Sequence, residues 1–257
     1  MDLALRDLRA LVTGGSAGIG LATAQLLAGE GARVAIASRN PEPEAGRIGA
    51  VAVSADLATA NGCDNAVAAA ADALGGLDVL VNNVGMARID SFEGASDADW
   101  QRAWDINVMS YVRCIRAALP HLRASSAAAI VCVASTSGKR PSSGMPEYSV
   151  TKAAVLSLSR LVADVHADDG IRCNAVAPGP TLSSAWLGIG GLADQTAADS
   201  DRSREDVLAA VAAGRPLKRM AEPEEIAAVI AFLCSPRSSY VTGAAWGADG
   251  GTVPVII

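Results

Sequence analysis

The chain has very little histidine and few aromatic residues. Only His121 and His166 occur among its 257 residues, and Phe, Trp and Tyr together make up 4% of the sequence. Neither histidine has another ligand-type residue at a spacing typical of metal sites. We therefore expect no metal centre and no Ser-His-Asp catalytic triad.

Cysteine pairs with Cys-x-x-Cys spacing are also missing. Most of the five cysteines lie in apolar segments, where a thiol behaves as a small hydrophobic group. We expect all of them to be free and structural. They are Cys63, Cys114, Cys132, Cys173 and Cys234.

The chain has no basic excess and no long apolar run. Its 27 Asp and Glu outnumber 21 Lys and Arg, which gives a formal net charge of −6 and disfavours a nucleic-acid partner. No apolar stretch is long enough to cross a bilayer, and the first residues lack the pattern of a secretory signal. We expect a cytoplasmic protein that forms one domain over residues 1–257.

Glycine, by contrast, is concentrated near the start, in Thr13-Gly-Gly-Ser-Ala-Gly-Ile-Gly20. An apolar, strand-like stretch precedes this run and a segment with helical apolar spacing follows it. A glycine-rich turn between strand and helix suits a dinucleotide diphosphate, because the backbone comes close and the helix start offers free N–H groups. The alternative is a plain turn, since the spacing of Gly14, Gly18 and Gly20 is not the commoner Gly-x-Gly-x-x-Gly.

A second motif is Tyr148-Ser-Val-Thr-Lys152. Residues four apart share a helix face, so the Lys152 ammonium can lie beside the Tyr148 phenol and favour its ionised form. Such a phenol can exchange a proton near neutral pH. Packing of an aromatic ring beside a solvated lysine is the alternative interpretation.

Strand-like and helical patterns alternate along the chain, which favours a parallel sheet covered on both faces. Between Arg39 and Val51, two prolines and two glycines leave room for a turn at most. Helices are expected at 97–116, 148–166 and 223–233. Strands are expected at 10–12, 33–37, 51–54, 77–81, 128–134, 171–177 and 244–248.

Together these segments resemble the short-chain dehydrogenase/reductase family nearly end to end. Further matching segments are Asp56 in Ser-Ala-Asp-Leu57, Asn82-Asn83-Val-Gly85, Ser135 thirteen positions before Tyr148, Asn174-Ala-Val-Ala-Pro178-Gly179 and Ala248-Asp-Gly-Gly251. The resemblance implies an α/β fold, a single-domain Rossmann-like doubly wound parallel sheet with helices on both faces. It also implies hydride transfer between a nicotinamide cofactor and a carbonyl or secondary alcohol.

In that mechanism Tyr148 is the general acid and base, and Ser135 donates a hydrogen bond to the carbonyl oxygen. Asn107 holds a water through which Lys152 re-protonates Tyr148. The expected catalytic residues are Asn107, Ser135, Tyr148 and Lys152. The expected cofactor-binding residues are Gly14, Ser16, Ala17, Gly18, Ile19, Gly20, Ser38, Arg39, Asp56, Leu57, Asn83, Gly85, Tyr148, Lys152, Pro178, Gly179 and Thr181.

The end of the second strand bears on the choice of cofactor. Ser38 stands where an acid would bind the ribose 2′-hydroxyl, and Arg39 can pair with a 2′-phosphate, so NADP(H) is favoured over NAD(H). An arginine stacked on adenine in an enzyme that accepts both cofactors is the alternative. A non-catalytic, NADP(H)-sensing regulatory protein on the same fold is the alternative function.

The substrate is less defined by the sequence. The resemblance implies a substrate lid at about 180–214, in which Leu182, Trp186 and Leu187 are candidate contacts and Trp186 can equally be an ordinary buried residue. The charged residues of this segment, between Asp194 and Asp206, are expected to form a solvated face. Lys139 and Arg140 can meet an acidic carrier or coenzyme A, or can simply be solvated, so an acyl thioester is an alternative to a small ketone. The family and the apolar tail from Thr252 predict a homotetramer; a tail folded back over its own subunit is the alternative.

Overall fold

A single parallel sheet organises the computed structural model, which describes residues 2–254. The strand order is β3-β2-β1-β4-β5-β6-β7, and all neighbouring strands run parallel. This confirms the predicted α/β fold class, and each predicted strand lies within two residues of an observed one. The strands are β1 Arg9–Thr13, β2 Arg33–Ser38, β3 Val51–Ser54, β4 Val79–Asn82, β5 Ala129–Val133, β6 Arg172–Pro178 and β7 Ala245–Ala248.

Helices cover both faces of this sheet and create two apolar core layers. One layer packs α3, α5 and α7 on the sheet, and the other packs α1 and α11 on its opposite face. The central strand β5 is buried along its whole length, as expected for a parallel strand covered on both sides. The longer helices are α1 Gly18–Gly29, α3 Ala60–Leu74, α4 Asp97–Trp104, α5 Ser110–Arg123, α7 Pro146–Val165, α10 Arg204–Ala213 and α11 Pro223–Cys234.

Short helices fill several connections. They are α2 Glu42–Ile48, α6 Thr136–Lys139, α8 Ser184–Leu187 and α9 Leu192–Ala198. In the part of the chain that the structure describes, no helix is both long and apolar enough to span a bilayer.

The prediction of no more than a turn between Arg39 and Val51 is wrong, because α2 occupies this connection. Pro41 is the N-cap residue and Pro43 lies in the first turn, where no intrahelical N–H donor is needed. Gly49 ends the helix in the left-handed conformation, with φ of 69°. The prolines and glycines therefore delimit a two-turn helix, and Ala45 anchors it to the core.

The helix predicted at 97–116 is longer and is interrupted. A π-helical segment, Asp105–Met109, lies between α4 and α5 and contains Asn107. Such bulges are frequent at functional sites because they redirect side chains. A periodic apolar pattern gives no warning of a one-turn π insertion.

The doubly wound order divides at β1 and β4, which are neighbours in the sheet although two strands separate them in the chain. After β1 the polypeptide continues on one face of the sheet, and after β4 it continues on the other face. A crevice therefore opens at the carboxyl ends of β1 and β4. The glycine-rich run follows β1 and Asn83 follows β4. The fold therefore places both motifs at this crevice.

The end of the chain is described only in part. Val253 is partly buried and Pro254 is exposed. The rest of the apolar tail that was expected to be buried, residues 255–257, lies outside the described residues.

Candidate active site

A cavity of about 1150 Å³ occupies the crevice at the carboxyl ends of the strands. Sixteen of the seventeen predicted cofactor-binding residues line it; the exception is Gly20. Among the predicted catalytic residues, Ser135, Tyr148 and Lys152 line the cavity and Asn107 does not. Gly20 and Asn107 lie directly behind the lining residues and contact them.

Gly20 allows α1 to approach the glycine-rich turn. A Cβ atom at this position would lie 2.3 Å from the Gly14 carbonyl oxygen and 2.4 Å from Asn83 Nδ2. Asn83 Nδ2 in turn donates to the carbonyl oxygens of Thr13 at 3.0 Å and Gly14 at 3.2 Å. Gly20 therefore supports the turn from behind, and Asn83 joins the ends of β1 and β4.

The start of α1 is open to an anionic ligand. The N-cap residue Ala17 provides no side-chain acceptor, and no acidic residue lies in the first turn. The first N–H groups of a helix and its dipole attract negative charge when no side chain caps them. Because Ser16, Ala17 and Gly18 also line the cavity, the site fits a diphosphate group.

The far end of the cavity is formed by the ends of β2 and β3. Ser38 Oγ is buried there and has no hydrogen-bond partner within residues 2–254. Arg39 lines the cavity and is exposed, and Asp56 bonds the Ala58 N–H at 3.1 Å. A buried unpartnered hydroxyl beside a guanidinium fits the ribose end of a dinucleotide.

Lys152 is held at the opposite end by the strand beneath it. The ammonium nitrogen donates to the Val133 carbonyl oxygen at 2.8 Å and lies 3.5 Å from the hydroxyl of Tyr111. Only 3% of Lys152 is exposed, and burial lowers the pKa of its ammonium group to about 8. Its protonation can therefore change near neutral pH.

Tyr148 is one helical turn before Lys152 and faces the end of β5. Burial raises the pKa of its phenol, and a hydrogen bond with the Ser135 hydroxyl acts in the opposite direction. The expected lowering of that pKa by Lys152 is absent among the described residues, although Lys152 Nζ lies 5.7 Å from the Tyr148 ring centroid. At neutral pH the phenol is therefore in its proton-donating form.

Asn107 braces the wall of the site. Its side chain accepts from the Met86 N–H at 2.8 Å and donates to the Met86 carbonyl oxygen and to Thr151 Oγ1, both at 3.0 Å. Thr151 precedes Lys152 on α7. Asn107 thus fixes α7 to the segment that follows β4.

Ser135 is placed by a close contact between α6 and α7. Ser135 is the N-cap of α6, and its hydroxyl oxygen accepts from the Ser137 N–H at 3.1 Å. Gly138 makes this packing possible, because a Cβ there would lie 2.6 Å from backbone atoms of Lys152. The short helix therefore packs its Ser135 end beside Tyr148.

The segment after β6 covers the cavity with α8 and α9. Trp186 lines the cavity and is partly buried, while Leu182 does not line it and Leu187 is exposed. Gln195 Oε1 accepts from the Ile89 N–H at 2.9 Å, which joins α9 to the opposite wall. The expected solvated charges are partly paired, since Arg204 bonds Asp194 at 2.7 Å.

Several site residues were not expected from the sequence. Tyr111 is fully buried, and its hydroxyl donates to the Val133 carbonyl oxygen at 3.0 Å beside Lys152. Met86, Met145 and Leu192 line the cavity. The signal for Met145 was its position three residues before Tyr148, as the N-cap of α7; no local signal marks the other three.

Within residues 2–254, no three His, Cys, Asp or Glu side chains are grouped so that they could hold a metal ion. All five cysteines lie in this range as buried free thiols.

Comparison with known proteins identifies the family. A family model described as enoyl-(acyl carrier protein) reductase matches residues 14–253. L-Sorbose reductase from Gluconobacter frateurii, solved with NADPH and L-sorbose, is 34% identical with a TM-score of 0.91 and full coverage of both chains. This chain belongs to the short-chain dehydrogenase/reductase family.

Two curated relatives extend the range of substrates. Cis-4-hydroxycyclohexanecarboxylate dehydrogenase from Sinomonas cyclohexanicum is 36% identical over 99% of this chain and 100% of the relative. Acetoacetyl-CoA reductase from a Synechocystis species is 34% identical over 95% of each chain. This short-chain dehydrogenase/reductase is accordingly an NAD(P)-dependent oxidoreductase that performs hydride transfer. The comparisons give no support to a non-catalytic regulator.

The substitution Lys152→Met tests the electrostatics of this site. Because the pKa of Lys152 falls from 10.5 to about 8 on folding, the protonated lysine destabilises the folded state below pH 8 by about 3 kcal/mol. Loss of the bond to Val133 offsets about 1 kcal/mol, and Tyr111 still donates to that oxygen. We expect the variant to be about 2 kcal/mol more stable near pH 7 in urea denaturation.

This gain should shrink as the pH rises from about 8 to 10.5, where the lysine is neutral in both states. The control is Lys218→Met at an exposed position, for which a change within about 0.5 kcal/mol is expected. A variant that is less stable than the wild type at every pH would contradict the burial cost assigned to Lys152.

Proposed function

We propose that this enzyme is an NADP(H)-preferring carbonyl reductase and secondary-alcohol dehydrogenase in which Tyr148 is the general acid and base. The observation that carries the proposal is that the Tyr148 phenol, the Ser135 hydroxyl and the buried Lys152 ammonium line the same cavity, which fits a dinucleotide. Two hydroxyl groups at this point can bind one carbonyl oxygen. The relatives that reduce ketones or oxidise alcohols support this reaction class.

The residues of the chain have distinct roles in reduction. A nicotinamide held in this cavity would supply a hydride to the carbonyl carbon, and negative charge would then develop on the carbonyl oxygen. Tyr148 donates its proton to that oxygen, and Ser135 stabilises the negative charge with a hydrogen bond. Lys152, with its pKa near 8, returns a proton toward Tyr148 and carries a positive charge into the site. In alcohol oxidation each transfer runs in reverse.

Asn107 supports this arrangement as a positioning residue. All its side-chain hydrogen bonds in the structure go to Met86 and Thr151. A role in holding a relay water, which the family resemblance implies, stays a prediction.

Preference for NADP(H) is proposed from the β2 end of the cavity. Ser38 introduces no negative charge there, and within residues 2–254 the Arg39 guanidinium makes no ion pair. A free guanidinium can bind the two negative charges of a 2′-phosphate. The NADPH complex of the sorbose reductase supports this choice.

A homotetramer and a cytoplasmic location complete the proposal. Apolar residues are exposed on α7 at Val150, Leu161 and Val165 and on β7 at Trp246, which supports subunit contacts at both elements. The free cysteines support a reducing compartment.

The substitution Tyr148→Phe tests the proton-transfer role. It removes one hydroxyl and keeps the ring, so we expect an intact fold and normal NADPH binding. Turnover should fall by about 10² to 10⁴-fold, the usual contribution of general acid catalysis. The matched control is Tyr240→Phe, which removes the same atom from a fully exposed side chain. Near-normal kcat in the Tyr148 variant, with the control unchanged, would refute the role.

The substitution Arg39→Ala tests the cofactor preference. If the guanidinium binds the 2′-phosphate, NADPH affinity should fall by about 10- to 100-fold while NADH affinity changes little. Titration calorimetry with both cofactors measures the two effects. Arg33→Ala is the control, since Arg33 is exposed at the opposite end of the same strand. Equal losses for both cofactors would leave only stacking on adenine.

A further inference from the structure

The reacting end of the cavity has a distinctive set of side chains. Besides the catalytic groups, it is lined by two methionines from the walls and by a tryptophan and a leucine from the covering segment. These four are Met86, Met145, Trp186 and Leu192. All are apolar, and methionine adapts its shape to irregular apolar ligands.

Contacts of the backbone and of neighbouring side chains place the segments that carry these four residues. Met86 is bound on both sides of its backbone by Asn107, and Met145 accepts the Ser149 N–H at 3.0 Å at the start of α7. The covering segment is placed by two further contacts. The Ser183 Cβ atom lies 3.0 Å from the position that a Cβ atom on Gly18 would take. The Gln195 side-chain oxygen accepts a hydrogen bond from the Ile89 N–H. The Gln195 contact brings α9, which carries Leu192, to the wall near Met86, and the Ser183 contact brings α8, which carries Trp186, over the start of α1.

Charged groups near this end are already engaged. Lys139 donates to the Ala245 carbonyl oxygen at 2.9 Å, and neither Lys139 nor Arg140 lines the cavity. Arg88 binds Asp90 and Asp99. Among the described residues, Arg102 is the one arginine besides Arg39 that lines the cavity, and it pairs with Asp99 at 3.3 Å while 58% of its side chain is in solvent. A substrate carboxylate or an acyl carrier would therefore have to compete with Asp99 for Arg102.

Uncharged polar groups are also few. The side-chain hydroxyls at this end belong to Ser135, Tyr148 and Ser137, and the first two are assigned to the carbonyl oxygen; Ser183 and Ser184 lie against Gly18. A ketose would bring several hydroxyl groups against Met86, Met145 and Leu192. Each one left without a partner costs about 1–3 kcal/mol.

We infer that the substrate is an uncharged ketone with apolar substituents, such as an alicyclic or short-chain aliphatic ketone, and the corresponding secondary alcohol in reverse. This inference rests on the proposed function. It separates this chain from relatives whose names specify a ketose, a ring carboxylate or a coenzyme A thioester.

Two matched substrate pairs test the inference with the full-length enzyme and NADPH. 2-Hexanone and L-sorbose are both six-carbon 2-ketones but differ in hydroxyl groups. 4-Methylcyclohexanone and 4-oxocyclohexanecarboxylate differ in one ring substituent, a methyl or a carboxylate group. We expect kcat/KM to favour the apolar member of each pair by at least about tenfold.

A substitution in the apolar wall provides a second measurement. Met145→Gln keeps the side-chain length and adds a polar amide, so it should reduce the preference for 2-hexanone over L-sorbose by about tenfold. Ile189→Asn is the control, because Ile189 is fully exposed on the covering segment and does not line the cavity. Its substrate preference should equal that of the wild type.

Three outcomes would be decisive. Preference for the apolar members, reduced in the Met145 variant alone, supports the inference. Equal or better turnover of L-sorbose or of the carboxylate overturns the substrate class and leaves the carbonyl reductase function intact. No NADPH oxidation with any of the four ketones, despite NADPH binding in calorimetry, overturns the proposed function and the inference with it.

Discussion

The hydrogen bond from the buried Lys152 ammonium to the Val133 carbonyl oxygen is the interaction on which the site depends. A buried ammonium is costly unless it is bonded, so this 2.8 Å contact ties α7 to the end of β5. The same strand leads directly into Ser135, and Tyr148 is one helical turn before Lys152. One contact therefore brings together the groups that we propose as proton donor and oxyanion donor and the positive charge of Lys152.

This arrangement works only because the surrounding backbones approach closely. Gly138 brings α6 against α7, and Gly20 brings α1 against the turn at Gly14. Asn83 and Asn107 then cross-link the ends of strands and helices around the crevice. The enzyme accepts the burial cost of Lys152 and gains a group that changes protonation near neutral pH, a common balance between stability and activity.

Sequence patterns could predict the features with strong local signals. The glycine-rich run, the Tyr148–Lys152 spacing and the apolar strands led to the fold class and to the residues that line the cavity. Sequence patterns gave wrong or incomplete predictions where contacts between distant parts of the chain determine the local structure. The prolines before α2 looked like helix breakers but lie at its start, and the π segment around Asn107 has no periodic signature. The raised pKa of Tyr148 also follows from burial, which the Tyr-x-x-x-Lys motif alone does not show.

The short helices over the cavity show the same limit. Polar residues between 194 and 206 suggested a solvated stretch, yet Asp194 and Gln195 hold α9 in place through bonds to Arg204 and Ile89. Ile89 precedes Gln195 by 106 residues, so no local pattern reveals this contact. The apolar character of the reacting end became visible only when the fold brought Met86, Met145, Trp186 and Leu192 together.

The central claim is hydride transfer to a carbonyl carbon with proton delivery by the protein. Reduction of 4-methylcyclohexanone with NADPH deuterated at the transferable C4 position tests it most directly, with the product analysed by mass spectrometry and NMR. The account predicts one deuterium on the carbinol carbon of the product. Alcohol formed without deuterium on that carbon would contradict hydride transfer by this site.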